Sequence, residues 1–208
     1  MFVTLEGPEG SGKTTLCARL EHMLADKGYE VVCVREPGGT VIGQQVRDVL
    51  LDQGNTGMLP ETEFLLFSAS RAQLVREVVV PHLESGAIVL CDRFLDSSLA
   101  YQGYGHRLDV GVLEKISSFV TSGVTPDVTV LLDISPEEGL RRRKQDPETW
   151  NRLDAYAIDF HERVRKGFLR LAEKNPNRWK VVDASQSEET IFTTTSAILL
   201  NELDKRGA

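Results

Sequence analysis

Eight consecutive residues near the start of the chain constrain its fold more than any other segment. They read Gly7-Pro-Glu-Gly-Ser-Gly-Lys-Thr14 and match the pattern G-x-x-x-x-G-K-[ST]. The apolar run Phe2–Glu6 precedes them, and a helical pattern over Lys13–Lys27 follows. A strand, a glycine-rich loop and a helix in this order form a phosphate-binding loop, because glycines let backbone N–H groups converge on an anion without side-chain clashes. The sequence therefore predicts a nucleotide-binding α/β domain.

The residue types in this loop suit a bound triphosphate. The helix that begins near Lys13 adds the positive end of its dipole. Lys13 would bring its ammonium group to the β- and γ-phosphates of ATP, and the Thr14 hydroxyl would ligate Mg²⁺. The loop residues expected to bind ATP are Gly7, Pro8, Glu9, Gly10, Ser11, Gly12, Lys13, Thr14 and Thr15.

Short apolar runs alternate along the chain with longer segments of helical period. We predict strands at Phe2–Glu6, Glu30–Arg35, Ala87–Cys91, Val128–Asp133 and Trp179–Ala184. We predict helices at Lys13–Lys27, Val41–Leu51, Glu61–Leu83, Leu113–Thr121, Pro136–Lys144, Ala155–Lys174 and Glu188–Asp204. This alternation indicates an α/β fold, a P-loop NTPase three-layer α/β/α sandwich with a five-stranded parallel sheet. We expect a single domain over residues 1–208 with a short lid at about 141–154.

Composition and charge argue against several other classes of protein. A formal net charge of −7 and a pI of about 5.2 disfavour nucleic-acid binding through a basic surface. No apolar stretch approaches the length of a membrane span, and we expect no signal peptide, no membrane partner and a cytoplasmic location. The cysteines Cys17, Cys33 and Cys91 lie in apolar runs, which favours buried thiols in a reducing compartment over a disulfide.

Among P-loop proteins, the motifs favour a small kinase. A GTPase would need D-x-x-G after a strand and N-K-x-D for guanine, and the sequence has neither. Asp92 and Arg93 follow the third predicted strand, beside the phosphate loop, where ligands bind in parallel sheets. Asp92 could orient water bound to Mg²⁺, and Arg93 could clamp a phosphate with two hydrogen bonds. A structural salt bridge between the two is the alternative.

Two further segments could bind an acceptor molecule. Arg35-Glu-Pro-Gly-Gly-Thr40 follows the second predicted strand and makes a particular tight turn, although it could be only a connection. Phe67 and Arg71 lie four positions apart and share a helix face. A ring stacked on a base beside a guanidinium that reaches a base carbonyl would form a pyrimidine pocket, whereas helical spacing alone fits ordinary core.

The segment Arg141–Arg152 differs from the rest of the chain. It is basic, then polar, and is interrupted by Pro147. Such a run is usually a solvated face. Because it follows the fourth predicted strand, a mobile flap over the phosphate loop is the competing interpretation.

These motifs occur in the order found in thymidylate kinases, and the chain resembles that family along nearly its whole length. The markers are the phosphate loop, Arg35-Glu-Pro-Gly-Gly-Thr40, Leu66-Phe-x-x-x-Arg71, Asp92-Arg-Phe94, Ser97-Ser-x-Ala-Tyr-Gln-Gly103, Pro126-Asp-x-Thr-x-Leu-Leu-Asp133 and Val182-Asp-Ala184. The acidic Glu9 in the phosphate loop is similar to the bacterial variety, which has its catalytic arginines in the lid. The chain departs from the family at Asn151-Arg152, where Asp-Arg is usual, with one residue inserted before it.

The resemblance implies that ATP, with Mg²⁺, phosphorylates thymidine 5′-monophosphate (dTMP) to the diphosphate, for dTTP synthesis. The implied catalytic residues are Lys13, Asp92, Arg93, Arg152 and Glu9, and Arg142 and Ala184 would join the phosphate loop in binding ATP. The implied dTMP-binding residues are Glu36, Pro37, Phe67, Arg71, Arg93, Ser98, Tyr101 and Gln102. The implied ligands of Mg²⁺ are Thr14 and Asp92, partly through water.

Several of these residues have particular implied roles. Phe67 would stack on thymine, Arg71 would bond its carbonyl edge, and Tyr101 would disfavour a ribose 2′-hydroxyl. Arg152 would close onto the transferring phosphoryl group, and Glu9 would contact the sugar of the acceptor or a water. The resemblance also implies a homodimer joined through helices. It does not decide which of Arg142, Arg143 and Lys144 contacts ATP.

Three rival functions share parts of this pattern. A deoxynucleoside kinase would use Asp92 as the base that deprotonates a 5′-hydroxyl. A kinase for another monophosphate would share the phosphate loop, although Phe67 with Arg71 favours a pyrimidine. A non-catalytic ATP-binding regulator would need neither the lid arginines nor Arg93.

Overall fold

One parallel sheet organises the computed structural model of the chain, which describes residues 1–145 and 150–207. The strands lie in the order β2–β3–β1–β4–β5, and each neighbouring pair is parallel. They are β1 (Phe2–Glu6), β2 (Val31–Arg35), β3 (Ile88–Asp92), β4 (Val128–Asp133) and β5 (Trp179–Asp183). The predicted five-stranded parallel sheet is therefore confirmed, with strand ends within about one residue of the prediction.

Helices cover both faces of the sheet. They are α1 (Lys13–Asp26), α2 (Val41–Leu51), α3 (Pro60–Leu74), α4 (Val80–Glu84), α5 (Leu95–Ser98), α6 (Val110–Thr121), α7 (Pro136–Arg143), α8 (Ile158–Lys174) and α9 (Glu188–Asp204). Two π-helical segments, Val75–Val79 and Leu99–Gly105, and a 3₁₀ turn, Arg152–Ala155, complete the described elements. Within residues 1–145 and 150–207, no helix combines the length and apolarity that a membrane crossing requires.

The core lies on both faces because side chains alternate along each strand. On one face Leu5 and Leu90 pack with the buried residues of α1 and α9. On the other face Phe2 and Val89 pack with Leu74 of α3. Burial on both faces explains why the strand sequences are nearly uninterrupted apolar runs.

The long helix predicted over Glu61–Leu83 is divided in the structure. It forms α3, the π-helical segment Val75–Val79 and α4 in succession. Pro81 lies in the first turn of α4 and has no N–H to donate to the preceding turn. The wider π turn just before this proline accommodates the missing hydrogen bond.

The helical segment over residues 95–105 was not predicted from the sequence. Its Ser and Gly residues have weak helix propensity, so the sequence resembles a loop. In the structure the buried carboxylate of Glu6 accepts hydrogen bonds from the backbone N–H groups of Phe94 and Ser97. A long-range contact therefore starts this segment, and local sequence does not reveal it.

The expectation of three buried thiols is wrong for two of the cysteines. Cys17 on α1 and Cys33 on β2 are joined in a disulfide, with their Cα atoms 6.8 Å apart. Cys91 on β3 is a buried free thiol, as expected. The spacing of Cys17 and Cys33 in the sequence did not indicate a disulfide, because α1 packs against β2 only in the folded chain.

The carboxyl ends of four strands meet at one edge of the sheet. The phosphate loop follows β1, and residues 36–40 follow β2. Residues 93–98 follow β3, and the turn into α7 follows β4. Ligands bind at this edge in parallel sheets, so the motifs predicted from sequence converge there.

Candidate active site

The phosphate loop has the backbone conformation that its glycines predict. Gly7, Gly10 and Gly12 have φ values of 143°, 68° and 90°, which residues other than glycine rarely adopt. Gly10 also lies directly against Gly139 of α7, and a Cβ atom on either residue would overlap the backbone of the other segment. The shape of the loop therefore depends on a close backbone contact with α7.

Lys13 holds its ammonium group over this loop. Its Nζ donates hydrogen bonds to the carbonyl oxygens of Gly7 (3.0 Å) and Pro8 (2.8 Å) and to Ser11 Oγ (2.9 Å). Burial and the nearby Arg93 guanidinium lower the pKa of Lys13 to about 8. Anionic phosphates placed beside it would favour the protonated form again.

Thr14 and Asp92 form the pair of oxygen ligands that a hard cation would use. Thr14 Oγ1 donates a hydrogen bond of 2.5 Å to Asp92 Oδ2 across the space between α1 and the end of β3. Among the described residues, no group of three or more His, Cys, Asp or Glu side chains could hold a metal ion. Two protein oxygens fit Mg²⁺, which is usually bound by one or two such ligands together with water and substrate phosphates.

Arg93 connects the phosphate loop to Tyr101, in the helical segment that follows β3. Its guanidinium donates to Gly7 O (3.0 Å), Glu9 Oε2 (2.9 Å) and Tyr101 OH (3.1 Å). The Tyr101 hydroxyl in turn donates to Glu9 Oε1 at 2.7 Å. Burial alone would raise the pKa of Glu9, but the Arg93 and Lys13 charges outweigh it and hold the pKa at about 2. Glu9 is therefore ionised and keeps Arg93 directed across the loop.

A buried ion pair joins α3 to the segment that follows β2. Arg71 Nε donates to Glu36 Oε2 at 2.7 Å, and the guanidinium also donates to Ser98 Oγ and Phe94 O, both at 3.1 Å. Burial raises the pKa of Glu36, and the Arg71 charge opposes this shift. Glu36 Oε1 is buried without a hydrogen-bond partner among the described residues. This carboxylate oxygen can therefore accept a further hydrogen bond.

One cavity of about 850 Å³ contains most of the predicted site residues. It joins the phosphate loop to the segments that follow β2 and β3. The predicted residues that line it are Glu9, Gly10, Ser11, Gly12, Lys13, Thr14, Thr15, Glu36, Pro37, Phe67, Asp92, Arg93, Ser98, Tyr101, Gln102 and Arg142. Fold topology thus brings together residues from distant parts of the sequence.

A few predicted residues lie behind or beside this cavity. Gly7 and Pro8 supply carbonyl oxygens to Lys13, and Arg71 stands behind Glu36. Arg142 Nη1 donates to the carbonyl oxygen of buried Ala184 at 3.1 Å, which places Ala184 behind the part of the cavity wall that Arg142 lines.

Arg152, the predicted catalytic arginine of the lid, lies away from the phosphate loop. Its guanidinium is buried and donates to Leu50 O (3.1 Å), Tyr156 OH (2.8 Å) and Glu63 Oε2 (2.6 Å). Arg143 lines the cavity instead and donates to Asp154 Oδ2 at 2.8 Å. Residues 146–149 of the predicted lid, which include Pro147, lie outside the described residues.

Glu63 and Gly139 are among the residues that support the site and were not predicted from the sequence. Glu63 accepts from both Arg152 and Gln102 Nε2 (2.7 Å), but an acidic residue in the first turn of a helix usually indicates only a favourable helix start. Gly139 gave a usable signal, because glycine inside a helix costs about 1 kcal/mol relative to alanine and so suggests a packing requirement.

We predict that Gly139→Ala lowers kcat/KM for ATP by about 100-fold, because an added methyl group must displace the phosphate loop by about 1 Å. Gly57→Ala is the matched control, since a Cβ atom there meets nothing within 4 Å. Steady-state kinetics with varied ATP would measure both. Equal activity of the two variants would show that the contact with α7 does not shape the loop.

Comparison with known proteins identifies the family to which these motifs belong. The family model described as thymidylate kinase matches residues 5–194. The thymidylate kinase of Roseiflexus castenholzii is 48% identical over 96% of this chain and 92% of that protein. The thymidylate kinase of Deinococcus radiodurans is 53% identical over 92% of each chain.

A solved structure shares the fold. The crystal structure of thymidylate kinase from Ehrlichia chaffeensis is similar with a TM-score of 0.78 and 33% sequence identity. The match covers 96% of this chain and 98% of that chain. The resemblance seen in the sequence motifs is confirmed.

Proposed function

The chain belongs to the thymidylate kinase family, whose members phosphorylate dTMP for dTTP synthesis, and we propose that the cavity is where it performs this transfer from ATP. The observation that carries the proposal is the position of Arg93. Its guanidinium lies 3.0 Å from the Gly7 carbonyl oxygen of the phosphate loop and borders the acceptor side of the same cavity. A cation placed there would hold an acceptor phosphate next to the donor phosphates.

ATP would bind with its phosphates in the loop. Backbone N–H groups at the start of α1 and the Lys13 ammonium would contact the β- and γ-phosphates. Thr14 and Asp92 would hold Mg²⁺, partly through water. The bound ion would neutralise charge that develops on the transferring phosphoryl group. Arg142 and the Ala184 backbone would border the adenosine end.

The acceptor dTMP would occupy the other half of the cavity. Phe67 would stack on thymine, Gln102 would lie beside the base, and Tyr101 would pack against the sugar. Arg71 would support the base-binding wall indirectly, through its ion pair with Glu36, which lines the cavity. Pro37 and Ser98 would complete this wall. The common position of most of these residues around one cavity supports their assignment to dTMP.

No strong general base is needed for this reaction. The acceptor is a phosphate oxygen that is largely ionised at neutral pH, because the second pKa of a phosphate monoester is about 6. Catalysis would therefore consist of positioning and charge neutralisation by Lys13, Arg93 and a lid arginine. Asp92 already accepts a hydrogen bond from Thr14, which favours a role toward the metal over that of the base in a nucleoside kinase.

The acceptor assignment is tested by incubating the protein with Mg-ATP and separately with dTMP, dUMP, dCMP, AMP or thymidine. We expect rapid ADP formation with dTMP, slow formation with dUMP and none with thymidine. Arg93→Ala should lose at least about tenfold in kcat/KM for dTMP, since it removes a charge-assisted contact. Preference for thymidine would instead make the chain a nucleoside kinase.

A lid at about 141–154 would close over the phosphates and exclude water. Two arginines of this segment are candidates for contact with the transferring phosphoryl group. Arg152 is the one implied by the family pattern, and it would have to leave its buried pair with Glu63. Arg143 lines the cavity, and its charge lies close enough to Glu9 to interact with it. The geometry favours Arg143.

We predict that Arg143→Ala lowers kcat about 100- to 1,000-fold with a smaller change in KM for dTMP, as expected on removal of one transition-state donor. Arg152→Ala should mainly destabilise the fold, by about 3–5 kcal/mol, because it removes the guanidinium that is paired with the buried Glu63 carboxylate. Kinetics and urea unfolding of both variants separate these effects. A stable Arg152→Ala protein with very low kcat would assign the catalytic role to Arg152.

The proposal includes a homodimer, supported by exposed apolar side chains on three helices, of which α3 packs against both α2 and α6. Phe119 of α6 is 85% exposed, and Val112 lies seven positions before it on the same helix. Leu65 of α3 and Val41, Ile42 and Val49 of α2 are also exposed. Contiguous exposed apolar surface usually marks an interface, and a symmetric pair is the commonest oligomer. A cytoplasmic location, where ATP is supplied, is part of the same proposal.

We predict that Phe119→Glu converts a dimer to a monomer, because it places a charge in the apolar interface. Val181→Glu, at an exposed position of strand β5, is the control and should leave the dimer intact. Light scattering coupled to size-exclusion chromatography gives the mass of each. A wild-type monomer, or dissociation by both variants, would contradict this choice of interface.

A further inference from the structure

A fully buried carboxylate lies beneath the candidate active site and takes no direct part in the mechanism above. Glu6, the last residue of β1, has 0% exposure. Its Oε1 accepts hydrogen bonds from the backbone N–H groups of Phe94 (2.9 Å) and Ser97 (3.3 Å), and its Oε2 accepts one from Ser97 Oγ (2.5 Å). Burial of a carboxylate costs free energy, which suggests that Glu6 has a function in the site.

The hydrogen bonds to Glu6 enclose a strained turn. Arg93 has φ 70°, in the left-handed region that non-glycine residues rarely adopt. The turn is fixed on one side by the bond from Arg93 N–H to Leu5 O (3.0 Å) and on the other by the bond from Phe94 N–H to Glu6. Such strain persists where the surroundings determine the conformation, and it often occurs at functional sites.

Ser97 connects the carboxylate to the Arg93 side chain. Because the Ser97 hydroxyl donates its proton to Glu6 Oε2, its oxygen is left as an acceptor, and it accepts from Arg93 Nη1 at 3.1 Å. Glu6 thus sets the direction of the hydroxyl, and the hydroxyl sets the direction of the guanidinium. Arg93 Nη1 also donates to Gly7 O.

We propose, on the premise of the function proposed above, that Glu6 is a positioning residue for the acceptor phosphate. Through the backbone of the turn and the Ser97 hydroxyl, it holds Arg93 in the orientation that binds the 5′-phosphate of dTMP. Glu6 does not touch the substrate in this arrangement. Its effect is confined to the phosphate end of the acceptor, since its contacts lie on the 93–97 turn.

The charge state of Glu6 determines the conditions of the test. Burial and the neighbouring Asp96 carboxylate raise the pKa of Glu6 to about 7, against the Ser97 hydrogen bond and the Arg93 charge. Lys13 and the Cys91 thiol also lie within electrostatic range of Glu6. Asp96 itself is paired with Arg178 at 2.6 Å. Binding is therefore measured at about pH 8, where the Glu6 carboxylate is ionised.

The experiment compares the affinities for dTMP and thymidine, measured by calorimetry on the whole protein. These ligands differ only in the phosphate that Arg93 would hold. In Glu6→Gln and in Ser97→Ala, we expect the preference for dTMP over thymidine to fall at least about tenfold, with thymidine affinity unchanged. Thr4→Val is the control, because Thr4 lies on the same strand as Glu6 and the change removes its buried hydrogen bond to Thr129 of β4 without touching Arg93.

A double mutant tests whether Glu6 acts through Arg93. In an Arg93→Ala background, Glu6→Gln should cause no further loss of dTMP preference, because its effect acts through Arg93. Equal weakening of both ligands, or an unchanged ratio, would overturn the proposal and leave Glu6 a purely structural residue. If Glu6→Gln does not fold, Ser97→Ala decides by the same ratio. Absence of dTMP turnover in the wild-type protein would be a separate failure, that of the proposed function.

Discussion

Glu9 in the phosphate loop and Arg93 after β3 form a largely buried ion pair, 2.9 Å between Glu9 Oε2 and Arg93 Nη2, and the site is arranged around it. Removal of either partner would leave a poorly hydrated charge, so the loop and the turn after β3 each need the other. The Tyr101 hydroxyl bonds both members of the pair. The pair therefore links the half of the cavity that would bind ATP to the half that would bind dTMP.

The sequence predicted those parts of the fold that depend on local pattern. The five strands were recognisable because burial on both sheet faces demands uninterrupted apolar runs, and the phosphate loop because its backbone demands glycine. The position of Asp92 and Arg93 beside the loop followed from the rule that ligands bind at the carboxyl ends of parallel strands. Most of the residues named as acceptor-binding line the same cavity, although their contacts with dTMP were not predictable from topology alone.

Features that depend on contacts between distant residues were not predictable. The Cys17–Cys33 disulfide and the helical segment after Arg93 both require partners that only the folded sheet brings near. Arg152 was placed at the phosphates by its position in a motif, yet the structure buries it against Glu63. A motif gives the residue type, whereas the direction of a long side chain is set by the charges around it.

The central claim is that donor and acceptor nucleotides occupy one continuous cavity and that their phosphates meet at Arg93. The most direct test is inhibition by a single molecule in which five phosphates join thymidine to adenosine through their 5′-oxygens. The account predicts inhibition that is competitive with both ATP and dTMP, and binding tighter than that of either substrate, since one ligand would fill both halves. Competition with ATP alone would show that the acceptor binds elsewhere and would contradict the account.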